Sequence, residues 1–165
     1  MSQAVQRELS IPNQTTCLAQ VRRAVLDFVG HGLFPSGEAQ LVALAVDEAV
    51  ANVMEHAFAT KESERQEITV QLESSDEAFK AVIRDAGSRF DPTAVPDVDI
   101  RQHVRQGRKG GLGIYLIRQI MDEVDYHYVK DRYNELRLVK YVDNRAGKAK
   151  GRQPQRQEGA PKRCR

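Results

Sequence analysis

Three short segments, in a fixed order along the chain, limit most strongly what it can fold into. The first, Glu48 to Asn52, lies in a stretch with helical periodicity. The second, Asp85 to Pro92, follows an apolar run, and the third, Gly110 to Gly113, opens another helical stretch. A carboxylate and a carboxamide one helical turn apart, an isolated Asp at a strand end and a glycine turn before a helix supply different parts of ATP chemistry. Together they predict a nucleotide pocket.

Length and cysteine content favour one intracellular domain followed by a tail. The 165 residues suffice for a hydrophobic core without disulfides. Cys17 and Cys164 show neither metal-binding nor disulfide spacing. We find no leader with a charged and an apolar region, and no apolar run approaches the roughly 20 residues that span a bilayer. We therefore expect a soluble cytoplasmic protein with no membrane-spanning segment.

Charge divides the chain into an acidic body and a basic tail. Residues 144 to 165 contain eight Lys or Arg and one Glu, a formal charge of +7, whereas residues 1 to 143 contain 17 basic and 22 acidic residues, a charge of −5. The tail has almost no apolar side chains, so burial cannot offset the entropy of ordering it. We expect a folded domain over 1–143 and a disordered tail over 144–165. The tail either makes electrostatic contact with nucleic acid, an acidic partner or a membrane surface, with the partner's identity unknown, or only aids solubility.

Apolar spacing predicts two helices in the first third of the chain. A short strand from Arg7 to Ile11, ended by Pro12, precedes them. Apolar residues recur at helical spacing before the break at Gly30 to Gly32, and they are Leu18, Val21, Val25, Leu26 and Val29. The second helix begins near Ser36, a candidate N-cap, and continues to about Phe58.

The remaining body predicts a sheet with one more helix. Strands over 66–73 and 78–84 flank a turn at Ser74 to Glu77, and residues 93–109 form a long mobile loop. A third helix runs from Leu112 to Val124, and the last two strands, 125–130 and 135–142, flank a turn at Asp131 to Asn134. The expected fold is α+β, a two-layer sandwich of a mainly antiparallel sheet with helices on one face.

The first segment places polar side chains on one face of the second helix. Residues four apart share a face, so Glu48, Asn52 and His56 form a polar stripe. Mg²⁺ takes oxygen ligands and keeps several waters, so the carbonyl of Asn52 and substrate phosphates suffice to hold it. Glu48 beside the metal can accept the proton of an attacking hydroxyl, an effect of roughly 10²- to 10⁴-fold in rate. The alternative is a stripe that faces water.

The other two segments suit the base and the phosphates. The carboxylate of Asp85 can accept a hydrogen bond from the exocyclic amine of adenine, and Gly87 permits close approach; the alternative is a simple turn. Backbone N–H groups at the helix start after Gly107 suit phosphates; the alternative is a flexible hinge. Arg108 and Lys109 either neutralise phosphate charge or are solvated. The segment matches neither a Walker P-loop nor a dinucleotide fingerprint.

With these segments in this order, the chain resembles the ATPase superfamily shared by gyrase, the Hsp90 chaperone, histidine kinases and MutL. Within it, the chain is most similar to the small bacterial anti-sigma factor serine/threonine kinases. The resemblance is carried by Ala45 to Phe58, Asp85 to Pro92, Gly110 to Ile117 and Met121 to Val124, and it covers residues 7 to 142. It implies the Bergerat-type ATP-binding fold.

The resemblance also implies residue roles. Glu48 would be the catalytic base, Asn52 the Mg²⁺ ligand and Asp85 the adenine acceptor, and the loop 93–110 would be the ATP lid. The full set of implied nucleotide contacts is Asn52, Asp85, Gly87, Arg108, Lys109, Gly110, Gly111, Leu112 and Gly113.

The implied reaction transfers the γ-phosphate of Mg-ATP to a Ser or Thr hydroxyl of a small anti-sigma factor antagonist protein. In this family the unphosphorylated antagonist binds the kinase and frees a sigma factor, and phosphorylation ends that binding. The implied partners are the antagonist as phosphoacceptor, a sigma factor and a second copy in a homodimer.

Two other activities are alternatives to this one. A histidine kinase needs a phosphoacceptor His on a dimerising helical hairpin, and the first strand and two helices already use the residues before the first sheet hairpin. The four histidines, His31, His56, His103 and His127, also lack metal-binding spacing, so we expect each to be structural or solvated. A nucleotide-gated protein that holds a sigma factor or another regulator with negligible transfer remains the alternative. Glu48 favours the kinase, because a pure binding module needs no base beside Asn52.

Overall fold

The computed structural model describes residues 4–30, 32–56, 66–106, 111–130 and 132–142. The strands are β1 (Val5–Pro12), β2 (Glu67–Ser74), β3 (Ala78–Asp85), β4 (Glu123–Val129) and β5 (Tyr133–Tyr141). The helices are α1 (Leu18–Val29), α2 (Ser36–His56), α3 (Ile100–Arg105) and α4 (Gly113–Ile120), with short 3₁₀ turns at Thr15–Cys17 and Pro92–Ala94. All neighbouring strands pair antiparallel in the order β1-β2-β3-β5-β4.

One hydrophobic core joins the helices to one face of the sheet. Alternate strand residues point into it because side chains alternate across a pleated strand, and they include Ile68, Val70, Leu72, Ile83 and Leu138. Helix residues at three- and four-residue spacing cover them, among them Val21, Val25, Val46, Val50 and Ile117. The predicted α+β two-layer sandwich, with a mainly antiparallel sheet and helices on one face, is confirmed.

The other face of the sheet is polar. Cross-strand ion pairs join Lys80 to Glu73 at 3.2 Å and Arg84 to Glu135 at 2.6 Å. Exposed pairs of this kind each contribute about 0 to 1 kcal/mol to the free energy of unfolding. This face therefore stabilises the fold far less than the core does. None of the helices in the described residues is long and apolar enough to cross a membrane.

Several predicted boundaries differ from the structure; for example, β4 begins at Glu123 rather than at Asp125. The supposed loop 93–109 contains α3, and the third helix ends at Ile120 rather than Val124 because Met121 is already extended at φ −86° and ψ 146°. Strand β5 begins at Tyr133, so Asn134 pairs with Asp85 in the sheet instead of lying in a turn. The predicted end of the second helix at Phe58 and the tail 144–165 lie outside the described residues, and both stay predictions.

Candidate functional site

Helices α2 and α4 bring two of the predicted segments into contact. Glu48 and Asn52 are half-buried on α2, while their neighbours Ala49 and Val53 face the core. A Cβ atom added to Gly113 would lie 2.6 Å from Glu48 Oε2 and 3.6 Å from both terminal atoms of the Asn52 amide. A side chain at Gly113 would require the Glu48 carboxylate to move, so Glu48 and Asn52 face the start of α4 rather than open water.

The backbone before α4 has an unusual conformation. Gly111 has φ +79°, a left-handed value that favours glycine. The Leu112 side chain makes no capping hydrogen bond to the helix. The first N–H groups of a helix lack partners one turn earlier, so these amides can bind an anion.

Strand β3 ends in a buried, hydrogen-bonded carboxylate. Asp85 is 6% exposed, and its Oδ1 accepts from the Gly87 amide at 2.8 Å and from Asn134 Nδ2 at 2.9 Å. Burial raises the pKa of Asp85, and the two hydrogen bonds oppose that rise. Tyr126 in turn donates to Asn134 Oδ1 at 2.7 Å. Both recorded hydrogen bonds use Oδ1, so within the described structure Oδ2 is the carboxylate oxygen left for a ligand.

Asp85 and Asn52 line the same cleft. About 310 Å³ between the surrounding atoms is empty, part of it open solvent. Its apolar lining is Ala49, Val53, Phe90, Pro92 and Leu136, and its polar lining is Asn52, Asp85, Ser88, Tyr126 and Asn134. Apolar walls with a carboxylate acceptor suit a flat base that bears an amine.

His56, the third member of the polar stripe, has a different position from Glu48 and Asn52. Its ring stacks on Phe90 with the centroids 4.1 Å apart and an interplanar angle of 24°. Because Phe90 lines the cleft, this stack closes one side of it. The alternative of a solvent-facing stripe therefore fits the exposed His56 better than the other two residues.

Arg118 on α4 holds the segment that leads into α3. Its guanidinium donates to Asp97 Oδ1 at 2.6 Å and to the carbonyls of Pro92, Thr93 and Val95 at 3.0, 3.0 and 2.7 Å. The start of the predicted lid is thereby fixed to the helix that begins at Gly113. Sequence reasoning gave no role to Arg118 or to Asn134, because neither belongs to one of the three segments.

The donor set around Asn52 suits a hard cation shared with phosphates. In the described ranges, no three His, Cys, Asp or Glu side chains are placed to hold a metal ion. Oxygens of both Asn52 and Glu48 lie near Gly113, and oxygen is the ligand that Mg²⁺ takes, usually alongside waters and phosphates. Predicted contacts Arg108, Lys109 and Gly110 lie outside the described residues and stay predictions.

Comparison with known proteins gives a consistent family match. Residues 11–140 match the family of histidine kinase-like ATPase domains. The serine-protein kinase RsbW of Staphylococcus epidermidis is 35% identical over 103 residues, which is 60% of this chain and 63% of that protein. The RsbW of Listeria monocytogenes is 31% identical over 106 residues, 62% of this chain and 65% of that protein. The chain thus matches just under two thirds of the length of these relatives.

Two solved structures share the fold. A chain of the SiaB-SiaC complex from Pseudomonas aeruginosa superposes with a TM-score of 0.62 at 17% identity, covering 81% of this chain and 88% of that one. A structure of the RsbU and RsbW domains from Mycobacterium tuberculosis superposes with a TM-score of 0.58 at 12% identity, covering 82% of this chain and 31% of that one. At these identities the likeness concerns the fold alone, and with the family match it confirms the expected ATP-binding fold.

Proposed function

This chain belongs to the histidine kinase-like ATPase domain family, and on that premise we propose that it is a cytoplasmic ATP-dependent serine/threonine protein kinase acting as an anti-sigma factor. One observation carries the proposal. The carboxylate of Glu48 lies against Gly113, at the N-terminal end of α4 where phosphates are expected to bind. A site that only held the nucleotide would have no need of a carboxylate near negatively charged phosphates.

The adenine would occupy the cleft between Phe90 and Val53, with its exocyclic amine donating to Asp85. The triphosphate would extend to the amides at Gly111 and Gly113. Asn52 would hold Mg²⁺ together with the phosphates, and the bound ion would neutralise charge on the transferred group.

Glu48 would then receive the proton in the transfer step. As the acceptor hydroxyl oxygen forms its bond to the γ-phosphorus, the bond to the β,γ-bridging oxygen breaks and ADP leaves. The hydroxyl proton moves to the Glu48 carboxylate. General base catalysis of this kind contributes about 10²- to 10⁴-fold.

The proposed acceptor is a Ser or Thr of a small anti-sigma factor antagonist protein. The names of the RsbW relatives support a serine kinase, and the SiaB-SiaC structure supports a stable complex between such a fold and a second protein. A sigma factor, released when the antagonist binds, and a homodimeric state complete the proposal. We also propose that residues 144–165 form a basic tail separate from the kinase domain.

The test is transfer of labelled phosphate from Mg-ATP to antagonist proteins encoded in the same genome. We expect one of them to be labelled on Ser or Thr, and Glu48→Gln to lower the rate at least about 100-fold without weakening ATP binding. Glu55→Gln, an exposed change on the same helix, is the matched control. ATP binding without transfer to any candidate would instead favour the nucleotide-gated binding protein, and normal transfer by Glu48→Gln would refute the base assignment.

A further inference from the structure

Two buried polar atoms beside the glycine turn have no hydrogen-bond partner within the described residues. They are His103 Nε2 and Asn52 Nδ2. His103 is 8% exposed, and its Nε2 atom is not accessible to bulk solvent. A buried polar atom without a partner is energetically unfavourable, which points to a ligand that completes the site.

Both residues lie against glycines of the same turn. A Cβ atom added to Gly111 would lie 3.6 Å from His103 Cε1, the ring carbon between Nδ1 and Nε2. A Cβ atom added to Gly113, two residues later, would lie 3.6 Å from Asn52 Nδ2. Helix α3 therefore places an imidazole nitrogen next to the backbone that opens α4.

The groups that need a partner here are mostly donors. The amides at the start of α4 and the Asn52 Nδ2 group donate, and Nε2 of a neutral imidazole with its proton there does so as well. Donors that converge on a helix N-terminus favour an anion rich in acceptor oxygens over a cation or an apolar group. Among the parts of a nucleotide, that chemistry belongs to the polyphosphate.

We propose that His103 is a polyphosphate-contacting residue, with Nε2 donating to a phosphate oxygen of nucleotide held at the Gly111 to Gly113 turn. The inference rests on the proposed function for the presence of a nucleotide. It adds a specific contact from α3, a segment predicted to be an irregular loop. It also gives a reason for the burial of His103, which sequence reasoning treated as structural or solvated.

The experiment compares His103→Leu with His103→Gln in the full chain by calorimetric titration with adenosine, ADP and ATP. The two replacements have similar size, but only Gln retains a donor. We expect Leu to weaken ATP binding about tenfold or more, as for a lost hydrogen bond to a charged group, and to leave adenosine binding unchanged. Gln should bind ATP within about threefold of the unchanged protein. His127→Leu, an exposed change on β4, is the control.

Several outcomes would overturn the proposal, and they are distinguishable. Equal ATP affinities for the Leu and Gln variants would show that Nε2 makes no phosphate contact. An equal loss of adenosine and ATP affinity in the Leu variant would show that His103 only supports packing. If the unchanged protein bound none of the three ligands, the proposed function itself would fail, and this contact with it.

Discussion

The two ends of the cleft differ in whether their polar groups already have hydrogen-bond partners within the protein. At the base end, Asp85 already accepts from Gly87 and Asn134, and Asn134 accepts from Tyr126. At the phosphate end, buried atoms of Asn52 and His103 have no partner within the described structure. A satisfied network holds its geometry before a ligand arrives, whereas unpartnered donors gain most when the ligand binds. We infer that the base end selects the ligand and that the phosphate end is completed by it.

The largest expected effect comes from breaking the base end. Asp85→Asn removes the charged acceptor, so affinities for adenosine and ATP should fall together, roughly 10- to 100-fold. The same variant should unfold at an equal or higher temperature at neutral pH, because burial disfavours the charged carboxylate. Titration calorimetry and thermal unfolding test both, with the exposed Asp76→Asn as control. Unchanged adenosine binding would remove Asp85 from the base site.

Breaking the phosphate end should have a smaller and more selective effect. Asn52→Ala should lower the affinity for ATP in the presence of Mg²⁺ about tenfold. Its affinities for adenosine and for ATP without Mg²⁺ should stay unchanged. Titrations with and without Mg²⁺ measure this difference, and Gln40→Ala on the exposed side of α2 is the control. A loss of equal size without Mg²⁺ would mean that Asn52 does not act through the metal.

A pH series sharpens the role of Asp85. Burial raises the pKa of Asp85 above its ordinary value of 3.8. Acidification through the raised pKa protonates the carboxylate and should weaken adenosine binding. Acidification should have the opposite effect on the free energy of unfolding. The stabilising contribution of protonated Asp85 is complete below its pKa in the unfolded state, and it is lost as pH rises through its raised pKa in the folded state. Adenosine titration and urea unfolding, each measured against Asp85→Asn, should show these opposite trends; matching curves for the two proteins would contradict them.

The smallest expected effect concerns the segment that joins the two ends. Arg118→Met removes the hydrogen bonds to the segment from Pro92 to Asp97, so ATP should dissociate roughly two- to fivefold faster. Arg118→Lys should give a dissociation rate between those of the unchanged protein and Arg118→Met, because lysine keeps the charge but not the planar guanidinium. Stopped-flow displacement of a fluorescent nucleotide measures the rate, with the exposed Arg101→Met as control. An unchanged dissociation rate would mean that this anchor does not affect nucleotide retention.

Much of the fold could be predicted because it follows from local periodicity. Apolar spacing identified α1, α2 and the β2–β3 hairpin within a few residues, since each buries one face. The end of α4 could not be predicted in this way. The apolar pattern continues through Met121 to Val124, but the chain becomes extended there, and Asp122 accepts from the Tyr141 amide at 2.7 Å. Pairing with β5 therefore overrides helical spacing.

The candidate site was predicted less evenly. Glu48, Asn52, Asp85 and Gly113 can be proposed from the sequence because each residue type has a recognisable chemistry at its position. For Asn134 the sequence predicts a turn, since Asn is common in turns. Its place opposite Asp85 depends on the register of β3 with β5, a long-range pairing with no local signal. The contact of His103 with Gly111 depends on tertiary packing in the same way.

The most direct test of the contrast between the two ends is residue-resolved amide hydrogen exchange with and without Mg-ATP. The account predicts that the Gly87 amide, which donates to Asp85, is protected without nucleotide and changes little when ATP binds. The amides of Gly113 and Ile114 should exchange rapidly in the protein without nucleotide and become protected when Mg-ATP is bound. Unchanged exchange at Gly113 and Ile114, or a Gly87 amide protected only by ATP, would contradict the account.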